Sequence, residues 1–380
     1  MYDVLLIGFG RMGYATAYDL VNNGYRVIVA DVRMEALERA EKELEVATYH
    51  IKNGFTWISE FKDKVRVAAS SLPWPIAFDG AKAVVEAGLN LTDVTSLSGQ
   101  DPKVIDEIAK KNNVYAVLYA GVAPGMVQIL SGAIYRELGG LDRLEIYCGG
   151  IPQDPTGKPL KTNITWSPIG YLGMYTRKSR KVVNGEIVLI DPLEDSGVIE
   201  FPGEGEYEYF LSDGLRSLLI TFIKDVPNMA EYSLRWKGHL EQIKLLRDLG
   251  LISKEPIKIG EVEVRPIEVT AKVIERKLTI DPRDKVLTMV RGVKGNRHVT
   301  YINATYYDEA KGLTAMQQTT GFTHSRLTMM ALEGKLKTIR EIGAIFPEEI
   351  GLNEELFKEY VEQMRKVGIT FKRIESTAAK

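Results

Sequence analysis

The stretch Val4-Leu5-Leu6-Ile7-Gly8-Phe9-Gly10-Arg11-Met12-Gly13 decides how this chain is read. Its four consecutive aliphatic residues describe a strand buried on both faces, predicted over Tyr2–Ile7. The glycines that follow turn the chain into a helix predicted over Arg11–Asn22, which Asn23-Gly24 ends. Asp31 lies 18 residues past Gly13, at the end of a second predicted strand, Arg26–Asp31. A G-x-G-x-x-G string alone means little. Between a strand and a helix, with an acid at that distance, it is a dinucleotide fingerprint. Gly8 permits the tight turn, Gly10 lets backbone approach a pyrophosphate, and Gly13 lets helix and strand pack closely. Phe9, Arg11 and Met12 complete the cradle, and the helix start offers N–H donors to phosphate. Asp31 should accept hydrogen bonds from the adenosine ribose and repel a 2′-phosphate. The cofactor expected is therefore NAD, with NADP less favoured. Val32 and Arg33 follow, and Arg33 is the residue that could instead take that phosphate.

Working outward, short apolar runs alternate with helical patterns for about 140 residues. Helices are predicted at Met34–Leu44, Phe78–Glu86 and Pro102–Lys111, and strands at Val65–Ala69, Asn90–Asp93 and Val114–Ala120. This βαβα order predicts a doubly wound parallel sheet, a Rossmann domain in an α/β chain. Ligands of such sheets lie beyond the strands' carboxyl ends. That singles out Ser71, Leu72 and Pro73, then Asp93 and Val94 in the run to Ser96, then Val122, Ala123 and Pro124. Trp74 follows the first of these loops and is a candidate substrate contact.

After the helix predicted at Met126–Glu137 the pattern changes. Asn184-Gly185 within Val182–Asp191, and Lys294-Gly295-Asn296 within Val286–Tyr307, signal hairpins and hence antiparallel pairing. Cys148–Gly170 reads as a long loop, and Leu313–Glu333 as one helix. The expected second domain is α+β, for substrate binding and oligomerisation, with a mixed or antiparallel sheet. The expected domains are 1–123, completed by 325–380 as the tail packs back, and 124–324.

Composition narrows the function. The 380 residues are 45% hydrophobic, with 49 Lys plus Arg against 51 Asp plus Glu. This excludes a mainly disordered chain and leaves no electrostatic footprint for nucleic acid or an anionic membrane. The apolar stretch Ala116–Val127 is broken by Gly121, Pro124 and Gly125, so it cannot span a bilayer. No secretory leader is read at the start, and a lone Cys148 favours a reducing compartment; the expectation is a cytoplasmic protein. The histidines have no partners at metal-ligand spacing, so no metal is expected. Phosphate-loop and nucleophile-elbow motifs are absent from the sequence.

The run Leu234-Arg235-Trp236-Lys237-Gly238-His239-Leu240 carries the second candidate cluster. If it is a strand, Arg235, Lys237 and His239 project from one face, as suits a carboxylate ligand. Arg235 is the candidate bidentate anchor. Asp93, Lys237 and His239 are candidate acid–base groups, though Asp93 reads equally well as a loop cap.

On these residues the chain resembles the saccharopine dehydrogenase-like reductases. The resemblance rests on Ser71-Leu72-Pro73, Gly121–Gly125, Tyr147-Cys148-Gly149-Gly150-Ile151-Pro152, Trp166-Ser167-Pro168, Asn184-Gly185 and Thr319-Thr320-Gly321-Phe322. Ser212–Ser217, Leu234–Leu240 and Pro347–Gly351 are similar to one branch, the lysine 6-dehydrogenases. The resemblance implies a Rossmann domain, a nicotinamide cofactor, an amino-acid substrate and a homodimer or larger homo-oligomer. Thr320 joins Trp74 as a candidate substrate contact. Where saccharopine reductases usually carry Asp, this chain has Ala123, which is similar to the lysine-dehydrogenase form. The implied reaction is oxidative deamination of the ε-amino group of L-lysine. Saccharopine or a carboxy-polyamine is the alternative substrate, and a non-catalytic dinucleotide-binding protein the alternative class.

Overall fold

The structure is a computed structural model of the chain and describes residues 1–95, 97, 99–164, 167–278 and 281–377. It divides into two compact units, Met1–Glu137 with Gln317–Thr370, and Leu138–Met316 with Phe371–Lys380.

The first unit holds seven parallel strands: β1 (Val4–Ile7), β2 (Val27–Asp31), β3 (Ala47–His50), β4 (Val67–Ser70), β5 (Asn90–Asp93), β6 (Tyr115–Val117) and a closing strand Gly343–Ile345. Their order is closing strand, β6, β5, β4, β1, β2, β3. This is the doubly wound arrangement. β1, β2 and β4 are wholly buried, as aliphatic runs between two helical layers must be. The intervening helices are α1 (Arg11–Asn22), α2 (Met34–Leu44), α3 (Trp74–Glu86), α4 (Pro102–Lys111) and α5 (Met126–Leu138).

α1 is also held by the later helix Thr323–Leu332. Asp19 and Arg326 meet at 2.6 Å with both side chains at most 5% exposed. Ser325 Oγ donates to Asp19, and Asn23 Nδ2 donates to its Oδ1 at 3.2 Å. Between these helices the chain takes a π-helical turn, Gln318–Phe322. The predicted single helix Leu313–Glu333 is therefore interrupted. Gly321 explains the break: a Cβ there would strike Ala15 and the Thr16 backbone, so the turn presses directly on α1.

The second unit is built on a mixed sheet ordered Ser196–Phe201, Gly205–Ser212, Met229–Arg235, Arg143–Pro152, Asp284–Lys294, Arg297–Tyr306, Lys372–Thr377. The Met229–Arg235 and Arg143–Pro152 pair is parallel, and the other neighbours are antiparallel. A side hairpin, Ser179–Val183 with Glu186–Ile190, turns at Asn184-Gly185. Strand alternation gives the sheet two unlike faces. Ala230, Tyr232 and Leu234 join Tyr147, Leu287 and Met289 in an apolar cluster. Glu231, Ser233 and Arg235 point to the other face and are buried as well.

Two expectations are corrected. Cys148–Gly170 is not one loop, because Tyr147–Pro152 continues a strand paired along its whole length with Asp284–Lys294. The tail does not all return to the first unit. Its strand forms at Lys372–Thr377 and pairs antiparallel with Arg297–Tyr306. A Lys-Arg-Ile-Glu-Ser-Thr strand suits a solvent-facing sheet edge and not a parallel sheet buried on both faces. The chain passes from one compact unit to the other at 137–138, 316–317 and 370–371, where the sequence reading expects boundaries at 123–124 and 324–325.

Replacing Arg326 by Met should leave Asp19 buried and unpaired, lowering stability by about 3–5 kcal/mol. Removing both charges, with Asp19→Ala and Arg326→Met together, should recover much of that loss in chemical denaturation.

Candidate active site

The glycine turn is shaped by what its neighbours exclude. Gly8 has φ +90°, and a Cβ on it would approach the Ser71 carbonyl at 2.8 Å. A Cβ on Gly13 would collide with the Gly8 carbonyl, whereas one on Gly10 would meet open space. Gly10 caps α1 without a side-chain hydrogen bond. The turn is thus closed on the protein side and open where a pyrophosphate would approach, so these residues fit a dinucleotide.

The loops after the parallel strands gather at the same edge. Phe9 N donates to Asp31 Oδ2 at 2.7 Å. Arg33 folds back on that carboxylate, Nε to Oδ1 at 3.1 Å and Nη2 to Oδ2 at 3.1 Å. Burial pushes the Asp31 carboxyl up, but the Arg33 and Phe9 donors outweigh it and hold it below the usual carboxylate range. Val94 N donates to Ser70 O, and Thr95 Oγ1 to Leu72 O, which ties the loops after β4 and β5. Gly121–Gly125 closes on itself, Gly121 N donating to Pro124 O across a cis Ala123–Pro124 bond. Val122 is buried in that loop. Pro73 caps α3, and Trp74 begins it with 55% exposure. Thr320 lies in the π turn against α1. Ser96 and Trp166 lie outside the described residues.

Asp93 is fully buried at the end of β5. Its Oδ1 accepts the Thr95 N–H at 2.8 Å, so it does cap its own loop. Its Oδ2 has no hydrogen bond among the described residues. Burial pushes this carboxyl up to about 7, against weaker lowering by Ser70 and Thr95. A buried carboxyl that titrates near neutrality is suited to proton transfer.

One residue that sequence reasoning passed over organises the same loops. His324 is wholly buried, and burial lowers it to about 4. Its Nε2 lies 3.1 Å from Thr92 O, and its Nδ1 3.3 Å from Thr16 Oγ1 and 3.5 Å from Ser71 Oγ. A neutral imidazole donating from Nε2 to the Thr92 carbonyl and accepting at Nδ1 from one of the two hydroxyls fits these contacts.

In the second unit the period-two reading of Arg235, Lys237 and His239 is corrected. The strand stops at Arg235, Gly238 is left-handed, and His239 opens the helix His239–Asp248. Lys237 turns outward to Glu206 at 2.8 Å, and that hydrogen bond holds its ammonium above its ordinary pKa. It is thereby a poor base. Arg235 and His239 are buried and share Tyr175: Arg235 Nε donates to Tyr175 Oη at 2.9 Å, and that hydroxyl lies 2.8 Å from His239 Nε2. His239 Nδ1 meets Leu160 O. The consistent arrangement has Tyr175 donating to Nε2 and the opposite N–H donating to Leu160. Burial first, and Arg235 second, lower His239 to about 3, so it stays neutral. It orients Tyr175 and through it Arg235, and has no lone pair left for a substrate proton.

Arg235 is 4% exposed. Its guanidinium carbon lies 5.3 Å from the Tyr171 ring centre and 5.4 Å from that of Phe210. It donates to the Leu234 carbonyl and the Tyr175 hydroxyl. Among the described residues no carboxylate pairs with it. A buried cation whose hydrogen-bond partners are neutral is an electrostatic setting that favours an anion. Four residues along the same strand face, Glu231 is 4% exposed with Oε2 lacking a hydrogen bond. Burial pushes it up to about 7 despite Arg216. Cys148, on the neighbouring strand, is buried, and its thiol is pushed far up by burial, so it packs as a small core group. The Tyr171–Tyr175 spacing on one helical turn and the alternation of Glu231, Ser233 and Arg235 were the available sequence signals for this cluster.

The family model of the saccharopine dehydrogenase C-terminal domain matches residues 121–369. The chain belongs to the saccharopine dehydrogenase family. The NAD binding domain of 6-phosphogluconate dehydrogenase matches residues 3–143, so the first unit is an NAD-binding domain. The chain is 19% identical to rat mitochondrial alpha-aminoadipic semialdehyde synthase over 97% of its own length and 47% of that protein. It is 21% identical to the NADP(+), L-glutamate-forming saccharopine dehydrogenase of Pyricularia oryzae over 76% of the chain and 66% of that protein. Its fold matches apo saccharopine dehydrogenase (L-Glu forming) from Saccharomyces cerevisiae with a TM-score of 0.79 and 16% identity, covering 99% and 100% of the two chains. The chain spans about half the length of the synthases it matches.

The raised Asp93 carboxyl has a signed consequence. Folding favours its protonated form, so the stability it contributes is present at low pH and lost as pH rises toward about 7. Asp93→Asn should gain on wild type by up to about 1.4 kcal/mol per pH unit between roughly pH 4.5 and 7, measured by denaturation at each pH.

Proposed function

We propose that this chain is an NAD-dependent dehydrogenase that oxidises the ε-carbon of L-lysine. Lysine, NAD and water would give 2-aminoadipate 6-semialdehyde, which can cyclise, together with ammonia, NADH and a proton. The observation that carries this reading is Arg235, a buried guanidinium with no carboxylate partner among the described residues. One uncompensated cation calls for one carboxylate, and lysine has one. Glu231, buried on the same strand face, suits the α-ammonium group.

NAD, when bound, accepts the hydride. The residues of the chain must supply the rest. Only the neutral amine can lose hydride, and deprotonating a lysine ammonium at pH 7 costs about 4–5 kcal/mol. Within the NAD-binding unit, Asp93 has the chemistry of a proton acceptor, because its carboxyl titrates at about 7 and its Oδ2 has no hydrogen bond among the described residues. Lys237 is committed to Glu206, and His239 to Tyr175 and Leu160. Their place in the reaction is accordingly outside the proton step.

Saccharopine is the second reading, favoured by the chain's similarity to saccharopine dehydrogenases. Its three carboxylates would need more cations. Arg180 is already bidentate to Asp213 at 2.6 and 3.0 Å, and Arg177 and Lys178 are exposed.

Purified protein with NAD and lysine should form NADH without 2-oxoglutarate; NADH formation from saccharopine alone would favour the second reading. Arg235→Ala should raise the Michaelis constant for lysine by roughly 30- to 100-fold, the worth of a lost charge-assisted pair, with a much smaller change in kcat. An unchanged Michaelis constant would remove Arg235 from the site.

A further inference from the structure

The carboxylate that should hold the adenosine ribose is already saturated. Asp31 accepts Phe9 N–H at 2.7 Å, Arg33 N–H at 2.9 Å, and both Arg33 guanidinium bonds at 3.1 Å. A carboxylate has about four acceptor sites, so ribose hydroxyls can bind Asp31 only when the Arg33 guanidinium withdraws. A 2′-phosphate needs no such withdrawal, because the Arg33 guanidinium paired with Asp31 offsets the repulsion of that carboxylate. The Arg33 side chain is 56% exposed, while Asp31 and the Phe9 carbonyl, 3.2 Å from Nη2, hold its inner edge. Asp31 here presents an arginine as well as a carboxylate.

The neighbouring strand adds to this end of the sheet. His50 is the register partner of Asp31, and its Nε2 lies 3.2 Å from Val32 O. Lys52, exposed, follows two residues later, as Arg33 follows Asp31. His50 and Lys52 line a cleft of about 510 Å³ together with Tyr49, Asn53, Thr56 and Trp57. The acidic groups at this end are Glu35, which acts on Arg33, and Glu60, which lines the cleft. Neither is hydrogen-bonded to Arg33 or Lys52 among the described contacts.

We propose that the Arg33–Asp31 clamp makes the adenosine end a two-cofactor site. NAD is taken by displacing Arg33 from Asp31, and NADP by keeping the clamp closed and placing its 2′-phosphate on Arg33, with Lys52 beside it. Asp31 is buried but the Arg33 side chain is 56% exposed, so the guanidinium can swing out into solvent and the NAD route is not blocked. The proposal rests on the reading of the first unit as a dinucleotide-binding domain and is independent of the amine substrate.

Direct binding of NADH and NADPH to the whole protein, followed by nicotinamide fluorescence, tests it. Wild type should bind the two with dissociation constants within about tenfold of each other, and added salt should weaken NADPH more than NADH. Arg33→Ala should weaken NADPH by at least about tenfold, the loss of the charge-assisted contact that the remaining Nη1 donors can make to phosphate, and leave NADH equal or tighter. Lys52→Ala should weaken NADPH alone by a smaller factor. The position is exposed, and an unchanged thermal midpoint in each variant would separate these effects from unfolding. A wild-type preference for NADH beyond tenfold, or equal loss of both nucleotides in Arg33→Ala, overturns the proposal. Failure of wild type to bind either nucleotide would instead overturn the dinucleotide reading beneath it.

Discussion

The first unit depends on backbone meeting backbone around α1. Gly13 lies against the Gly8 carbonyl, Gly8 against the Ser71 carbonyl, and Gly321 against Ala15 and Thr16. At each point a methyl group would force the elements apart. Because none is present, the start of α1 is fixed at the carboxyl ends of β1 and β4. The loops bearing Asp31, Ser71, Asp93 and Pro124 are gathered along the same edge. His324 reinforces the arrangement from below, joining α1, the loop after β4 and the end of β5 through Thr16, Ser71 and Thr92. Its low pKa keeps it neutral, so the scaffold under the cofactor loops is not altered by pH near neutrality.

The second unit is governed by a different constraint, a charge kept out of water. Arg235 cannot lose its proton, so its surroundings must stabilise the cation. Tyr175, itself oriented by His239, accepts one bond, and the rings of Tyr171 and Phe210 present their faces to the guanidinium. These partners are neutral, which leaves the positive potential uncancelled. A substrate carboxylate would complete a bidentate pair there. The unlike faces of the mixed sheet make this possible, since one buries aromatic and aliphatic side chains while Glu231, Ser233 and Arg235 share the other.

Legibility in the sequence followed locality. The fingerprint and the strands and helices around it read clearly, because aliphatic runs, glycine turns and capping residues are all local signals. Asp31 was visible by spacing; that Arg33 would clamp it was not, since a side-chain fold-back leaves no periodic trace. Arg235 was found for its chemistry, but its neighbours were misjudged. The period-two reading of Arg235, Lys237 and His239 ignored Gly238, whose left-handed turn ends the strand register. Tyr175, Glu231 and His324 matter through partners distant in the chain, a relation that one sequence does not display. The whole tail was expected to return to the first domain; the polarity of Lys372–Thr377 suits an exposed edge of the other sheet, and that signal was present in the residues.

In the proposed reaction, hydride leaves the ε-carbon of lysine. Lysine deuterated at the ε-carbon, incubated with NAD and the purified protein, tests this by NMR of the reduced cofactor. Deuterium should appear at the nicotinamide C4 position, with unlabelled cofactor when the label is instead on the α-carbon. Transfer from the α-carbon, or no reduced cofactor from either labelled lysine, would contradict it.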